Sequence, residues 1–226
     1  SLIQDFAYEG YDYGNIYVSG VYDDSLDEVF ANTHLMRGQD TLLVMDGAYH
    51  LSDTVSPVDF TLSTIEGVPL NYISPFVEGE LSGIDGKERL NKFNVSGKMS
   101  DPQVNGEGFF DEAGFKVEYL KTRYVLNGKM DFNNQKILLK DLKVKDGKGA
   151  KAELYGDIRH RALQEFTFNL QLASAKNFMV MNTRKEDNDL FYGKLLLNDA
   201  LAYISGDLSD IKVEAITAFA PGSEIN

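Results

Sequence analysis

The segment FTFNLQLAS, residues 166 to 174, alternates between apolar and polar side chains along most of its length. Its apolar positions at a spacing of two are Phe166, Phe168, Leu170 and Leu172. Because successive side chains of a β-strand point to opposite faces, this spacing predicts a strand that buries one face and exposes the other. A chain built from many such segments is expected to be mainly β.

The same alternation recurs along the chain. Further apolar positions at a spacing of two are Ile16 and Val18, Leu42 and Val44, Phe60 and Leu62, Phe93 and Val95, and Ile211 with Val213. Segments rich in Gly, Asn and Asp interrupt these runs and predict tight turns. They are DGKE (85–88), LNGK (126–129), DFNNQK (131–136) and DGKG (146–149).

Helical periodicity is scarce, and one or two short helices are expected. VPLNYISPFVEG (68–79) is the best candidate, because Leu70, Ile73 and Val77 have helical spacing, and Pro75 limits it to a short piece. AKNFMVMNT (175–183) fits either a short helix or an irregular strand.

The chain also resembles itself. VSGKMSDPQV (95–104) matches ISGDLSDIKV (204–213), 109 positions later, and Gly47 matches Gly156 at the same offset. We interpret this as an internal duplication of about 109 residues, although all β proteins share some strand and turn rhythm. The predicted organisation is a lead-in over 1–15 and two units over 16–118 and 119–226, forming one continuous domain.

Composition excludes several classes of function. Acidic residues outnumber basic ones 35 to 22, for a net charge of −13, and such a surface repels nucleic acid and anionic lipid headgroups. Cysteine is absent, which excludes disulfides and thiol catalysis. The chain begins at Ser1 and has no long apolar run, so we expect an excised piece of a longer protein whose anchor or export signal lies elsewhere.

Motifs for catalysis or metal binding are not found in the sequence. KEDNDLFYGK (185–194) is acidic, but Phe191 and Tyr192 stand where a calcium loop needs an oxygen ligand and a glycine, so a solvated connection is predicted. The three histidines, His34, His50 and His160, are expected to be structural. No catalytic residue, metal site or cofactor is predicted, although 35 acids leave a carboxylate pair for glycoside hydrolysis open.

Four segments in order resemble the C-terminal domain of TamB-like proteins, of the translocation and assembly module within the AsmA-like group, in its Bacteroidetes type. They are VPLNYISPFVEGELSGIDGKERLNKFNVSGKMSDPQVNGEGFF (68–110), GFKVEYLKTRYVLN (114–127), LKVKDGKGAKAELYGDIRHRALQEFTFNLQL (142–172) and NFMVMNTRKEDNDLFYGKLLL (177–197). GKMSDPQVNGEGFF (97–110) is similar to a recurring element of that family, in which Gly, Pro and apolar residues have fixed spacings.

This resemblance implies an elongated, curved antiparallel β-sheet that forms an open trough with an apolar inner surface. It also implies a periplasmic segment of a protein anchored in the inner membrane, which carries phospholipid acyl chains and supports outer-membrane protein assembly. The expected protein partner is an outer-membrane barrel of the TamA or BamA kind, contacted through parts that lie partly outside this chain. If the apolar side of each strand faces inward, the lipid-groove residues are Phe60, Leu62, Val95, Phe166, Phe168, Leu170, Ile204 and Val213.

Two other functions stay open at the level of sequence. The sheet edge of such a protein would suit a scaffold that receives strands of outer-membrane protein clients by β-augmentation. A non-catalytic carbohydrate-binding or adhesive β domain is the other alternative, because the chain has 12 Tyr, although they are spread among the strands.

Overall fold

A computed structural model of the protein describes residues 1–162, 164–174, 176–187, 192–207 and 210–226. Within these residues the chain forms sixteen strands and one 3₁₀ helix (Leu70–Phe76). The strands are β1 (Leu2–Tyr8), β2 (Tyr11–Asp23), β3 (Glu28–Arg37), β4 (Asp40–His50), β5 (Val58–Thr64), β6 (Val68–Pro69), β7 (Leu81–Lys98), β8 (Asp101–Val117), β9 (Thr122–Asn134), β10 (Lys136–Asp146), β11 (Lys151–Arg161), β12 (Gln164–Ser174), β13 (Phe178–Thr183), β14 (Gly193–Asp207), β15 (Ile211–Phe219) and β16 (Glu224–Ile225). The prediction of a mainly β chain is confirmed.

All sixteen strands of the described chain belong to one antiparallel sheet. Neighbours in sequence pair from β1 to β5, β7 follows β5, and the order continues through β12 to β14. The short strand β13 continues the line of β12 along β14, and β16 continues the line of β15 along the other side of β14. Since β1 forms one edge and β15 with β16 forms the other, the sheet is open and is not closed into a barrel.

Two of the four predicted turns are wrong. DFNNQK and DGKG do form the tight connections after β9 and β10, but DGKE lies inside β7 and LNGK lies inside β9. Gly86 and Gly128 have φ angles of +89° and +139°, and the strand register shifts beside them. A β-bulge uses the same positive φ that a turn uses, so the residue types are alike in the two cases.

The remaining predictions on local structure have mixed outcomes. The 68–79 segment does contain a short helix, of the 3₁₀ type, and the ambiguous 175–183 segment contains strand β13. Residues 185–187 form a turn, whereas 188–191 lie outside the described residues. The lead-in 1–15 is part of the sheet as β1 and the start of β2, and the boundary at 118/119 falls in the β8–β9 turn.

The sheet curls, as contacts between distant strands show. The 3₁₀ helix follows β6 and reaches back to β2, where the Tyr13 hydroxyl donates to the Tyr72 carbonyl at 2.8 Å. The Tyr72 hydroxyl donates to the Tyr13 carbonyl at 3.1 Å, and the two rings lie 4.8 Å apart. The Arg37 guanidinium lies 5.3 Å from the Tyr72 ring centre, so a cation–π contact also fixes this crossing.

A second crossing brings β13 back over β9 and β10. The buried Asp146 carboxylate accepts hydrogen bonds from the backbone N–H groups of Lys148 (2.8 Å) and Ala150 (2.9 Å) in its own turn. It also accepts one from the Met179 N–H of β13 at 2.7 Å. Nearby, the Tyr124 hydroxyl donates to the Val180 carbonyl at 3.1 Å. One carboxylate therefore joins the β10–β11 turn to a strand 33 residues away.

The two crossings occupy matching places along the chain. The 3₁₀ helix (70–76) follows β6, which pairs with β7, and it reaches back to β2. Strand β13 (178–183) follows β12, which pairs with β14, and it reaches back to β9 and β10. Their separation is close to the offset of the sequence repeats. This agreement favours the duplication, which stays a prediction.

Asp146→Ala is expected to lower the free energy of unfolding by about 2–4 kcal/mol, because three backbone N–H groups lose a charged acceptor at a buried position. The measurement is urea denaturation followed by circular dichroism. The control is Asp111→Ala, which removes a half-exposed ion pair with Arg89 and should cost less than about 1 kcal/mol. Equal effects of the two substitutions would contradict the proposed role of Asp146.

Candidate apolar groove

One face of the sheet carries an unbroken row of mostly apolar side chains, and it is called the apolar face below. Directly paired residues share a face, so the row can be followed from strand to strand. The gap between β7 and β9 is closed by a ring contact, since the Phe93 and Phe132 centroids lie 4.9 Å apart. The row runs through Thr33, Met45, Leu62, Phe93, Phe132, Ile137, Ile158 and Phe168.

All eight predicted groove residues lie on the apolar face, in two groups. In the first, Phe60 on β5 pairs with Val95 on β7, and Leu62 is the next inward residue of β5. In the second, Leu170 on β12 pairs with Ile204 on β14, which pairs with Val213 on β15. Phe166 and Phe168 precede Leu170 on the same side of β12. Seven of the eight groove residues are half-buried, whereas the eighth, Val213, is 62% exposed on the edge strand.

The centre of the apolar face lies between these groups and was missed by sequence reasoning. Its buried members are Met130, Ile137, Leu139 and Leu142, against which Phe110, Leu126, Phe132, Leu154, Ile158 and Leu170 pack. In β10 the alternation changes phase, because Asp141 has a φ angle of +56° and a bulge there shifts the register. The sequence nevertheless contains the pattern. Ile137 and Leu139 have a spacing of two, as do Leu142 and Val144, and the step of three between Leu139 and Leu142 marks the change of phase.

Glycines on the apolar face let large side chains of neighbouring strands meet above them. Gly106 on β8 lies between Phe93 and Phe132, and a Cβ atom there would lie 2.6 Å from the Phe93 Cα. Gly47 on β4 lies beneath the Phe60 ring, whose Cδ1 would be 2.8 Å from an added Cβ. A side chain at either position would separate the strands or push the rings outward.

The opposite face is polar, and its side chains pair across strands. The Asn94 amide donates to Asp59 Oδ1 at 2.8 Å, and Lys129 Nζ lies 2.6 Å from Glu107 Oε1. Such a face interacts favourably with water, as is typical of a sheet with one solvated side. The two faces therefore differ in chemistry, and the apolar one suits a hydrocarbon ligand.

Glu88 is an acidic exception on the apolar face. It lies on β7 opposite Val68 on one side and Phe110 on the other, which is one of the residues packed on the central apolar cluster. Burial raises the pKa of the Glu88 carboxyl. Its neighbours in sequence, Lys87 and Arg89, are exposed and belong to the other face. Among the described residues, no hydrogen bond or ion pair compensates the Glu88 carboxyl for its burial.

The polar face has a separate cavity, whose lining is partly acidic. A cavity of about 530 Å³ is lined in part by Asp46 and Asp59. His50 Nδ1 lies 2.7 Å from Glu28 Oε1 at its border, whereas His160 is buried beside the Phe166 ring. Across the part of the chain that the structure describes, no three His, Asp or Glu side chains converge in a way that could hold a metal ion.

Comparisons with known proteins give no independent guide to the groove. The chain matches no family model, no curated protein and no solved structure. In the described ranges, no helix has the length and apolar character of a membrane span. The resemblance to TamB-like proteins therefore stays a hypothesis, and the apolar face is the structural feature that bears on function.

Gly106→Ala tests the close contact over the apolar face. It should destabilise the protein by about 1–3 kcal/mol more than Gly38→Ala, because both positions have positive φ but only Gly106 lacks room for a Cβ. Chemical denaturation of the two variants measures the difference. If both variants lose the same stability, the contact between the Phe93 and Phe132 rings does not require glycine at position 106.

Glu88→Gln tests the burial of the acidic exception. A carboxyl whose pKa is raised in the folded state binds its proton more tightly there, so folding loses stability as the pH rises through the unfolded value of about 4.3 towards the folded value. The variant should therefore be more stable than the wild type at pH 7, and the gap should close below about pH 4. A gap of the same size at both pH values would contradict this account.

Proposed function

We propose that this chain is a periplasmic segment of a TamB-like envelope protein, and that its apolar face holds phospholipid acyl chains between the inner and outer membranes. The observation that carries the proposal is the continuous apolar face on a single open sheet. In the described chain, β13 contacts β9 and β10, and the 3₁₀ helix contacts β2 and β7. A half-buried hydrocarbon surface is the chemistry that an acyl chain requires.

The dimensions and energies agree with such a ligand. Strands stack about 4.8 Å apart, so the nine neighbouring strands from β5 to β15 span about 40 Å. Each buried methylene contributes about 0.8 kcal/mol, so an acyl chain is held without a specific polar contact. Holding and passing a lipid in this way needs no catalytic residue and no cofactor.

The central apolar cluster sets a condition on lipid movement. Leu142 is 1% exposed and Met130 is 5% exposed, so the protein's own side chains fill the curled sheet at this point. Under the proposal, acyl chains contact the half-buried residues on either side, such as Phe60 and Phe168. Passage along the whole face then requires the side chains of the central cluster to move apart.

The full-length protein is proposed to be anchored in the inner membrane and to meet an outer-membrane barrel of the TamA or BamA kind. The acidic surface, with a net charge of −13, would keep an elongated periplasmic segment soluble.

Phe168→Arg is the test of the proposed function. A charged group on the apolar face should abolish co-purification and photo-crosslinking of phospholipid, while the half-buried position lets the protein keep its fold. The control is Thr167→Arg, which places the same charge on the exposed polar face of the same strand and should leave lipid recovery unchanged. Mass spectrometry of bound phospholipid is the measurement, and equal recovery from all three proteins would refute the proposal.

The β15 edge favours β-augmentation as a second candidate function. Ile216 is 73% exposed and Phe219 is 68% exposed on this strand, whose outer side carries unpaired backbone groups. An unfolded barrel segment could add to such an edge as a further strand. Crosslinks from β15 to an unfolded barrel peptide, together with no phospholipid on the wild-type protein, would favour this function over the first.

A further inference from the structure

A basic cavity lies at the rim of the sheet, where the ends of several strands meet. Its volume is about 360 Å³, and it lies at the start of β9, the β10–β11 turn, β13 and the start of β14. Four of its lining residues are basic: Lys121, Arg123, Lys148 and Lys194. In a chain of 22 basic and 35 acidic residues, such a local excess of positive charge runs against the overall composition.

Two of the four cations are engaged by acids. Lys121 Nζ lies 2.7 Å from Glu118 Oε2 and 3.8 Å from Asp187 Oδ1. Arg123 Nη2 lies 2.6 Å from Asp85 Oδ1. These pairs fix the positions of the two side chains and partly neutralise them.

The other two cations are available to a ligand. Of the ion pairs formed by described residues, none involves Lys148 or Lys194. The register places Glu224 opposite Lys194, and a bound anion would have to compete with that carboxylate for the lysine. Lys148 is exposed and Lys194 is half-buried, so both can reach solvent-borne anions.

The acids nearest to the cavity are not part of its described lining. Asp146 lies beside the cavity, but its two oxygens accept hydrogen bonds from the backbone N–H groups of Lys148, Ala150 and Met179. Backbone donors thus stabilise the ionised form of Asp146, whose negative charge a bound anion has to overcome, and none of the ion pairs between described residues joins it to Lys148. The cavity keeps a net positive lining.

The cavity adjoins the apolar side chains of the second crossing. Met179 lines the cavity and also packs with the buried Leu196 and Ala220. The preceding residue, Phe178, stacks on Tyr124 with the ring centres 5.9 Å apart and joins a buried apolar cluster with Val144. A phosphate group in the cavity would therefore lie close to apolar side chains. An amphiphile likewise carries a phosphate group next to hydrocarbon.

We propose that this cavity binds a phosphate group through Lys148 and Lys194, with Lys121 and Arg123 supporting the field. Lysine binds phosphate as a point charge, and a positive site in an otherwise acidic protein acts only over a short range because salt screens it beyond about 8–10 Å. The source of the phosphate, a phospholipid headgroup, rests on the proposed function. Free inorganic phosphate shares the chemistry and is separated from it by the test.

The experiment compares three ligands on the full chain by phosphorus and proton NMR titration. They are inorganic phosphate, dihexanoyl phosphatidylglycerol, and dihexanoyl glycerol, which has the acyl chains without phosphate. The double variant Lys148→Gln/Lys194→Gln should bind inorganic phosphate at least tenfold more weakly than the wild type. The matched control, Lys98→Gln/Lys212→Gln, removes the same charge from exposed positions elsewhere and should bind phosphate as the wild type does.

The outcomes separate the site from the proposed function. Tighter binding of phosphatidylglycerol than of inorganic phosphate, lost in part by the lysine variant, supports both. If phosphatidylglycerol binds no tighter than inorganic phosphate, yet the lysine variant loses both, the phosphate site stands and the lipid function fails. Equal phosphate binding by wild type, lysine variant and control, or no binding by the wild type, overturns the site.

Discussion

The burial of one apolar face without a second layer is the constraint on which this structure depends. Most β domains bury such a face against another sheet or a helix layer, but the described chain offers one sheet and one short 3₁₀ helix. The sheet therefore covers its own face by curling. Two crossings secure the curl, one through Tyr72 against Tyr13 and the other through β13 against Tyr124 and Asp146.

Curvature in turn depends on bulges and glycines inside the strands. A bulge adds a residue to one strand and bends it, as at Asp141, and it changes which residues face inward. Glycine at Gly106 lets the Phe93 and Phe132 rings meet across an intervening strand. The same features that bend the sheet thus also pack its centre, which is why the central apolar cluster is more buried than the predicted groove residues.

Charge is distributed to match the two faces and the rim. Acids pair with Lys and Asn on the polar face, and Glu88 is the carboxyl that the curl buries among apolar neighbours. At the rim, Asp146 accepts its hydrogen bonds from backbone donors, and Lys148 and Lys194 are in none of the ion pairs between described residues. A net charge of −13 gives no hint of this basic cavity, because composition does not say where charges meet.

The sequence alone determined the fold class and the inward side of strand segments without bulges, such as most of β12. Alternation at Phe166, Phe168 and Leu170 identified the inward side correctly, because a spacing of two depends only on local strand geometry. Only the tertiary structure decided which strands are bent, that LNGK lies within a strand, and that Lys148 and Lys194 share a cavity. Bulges and turns use the same residues, and a contact between distant segments depends on how the whole sheet curls, so neither can be inferred from local sequence.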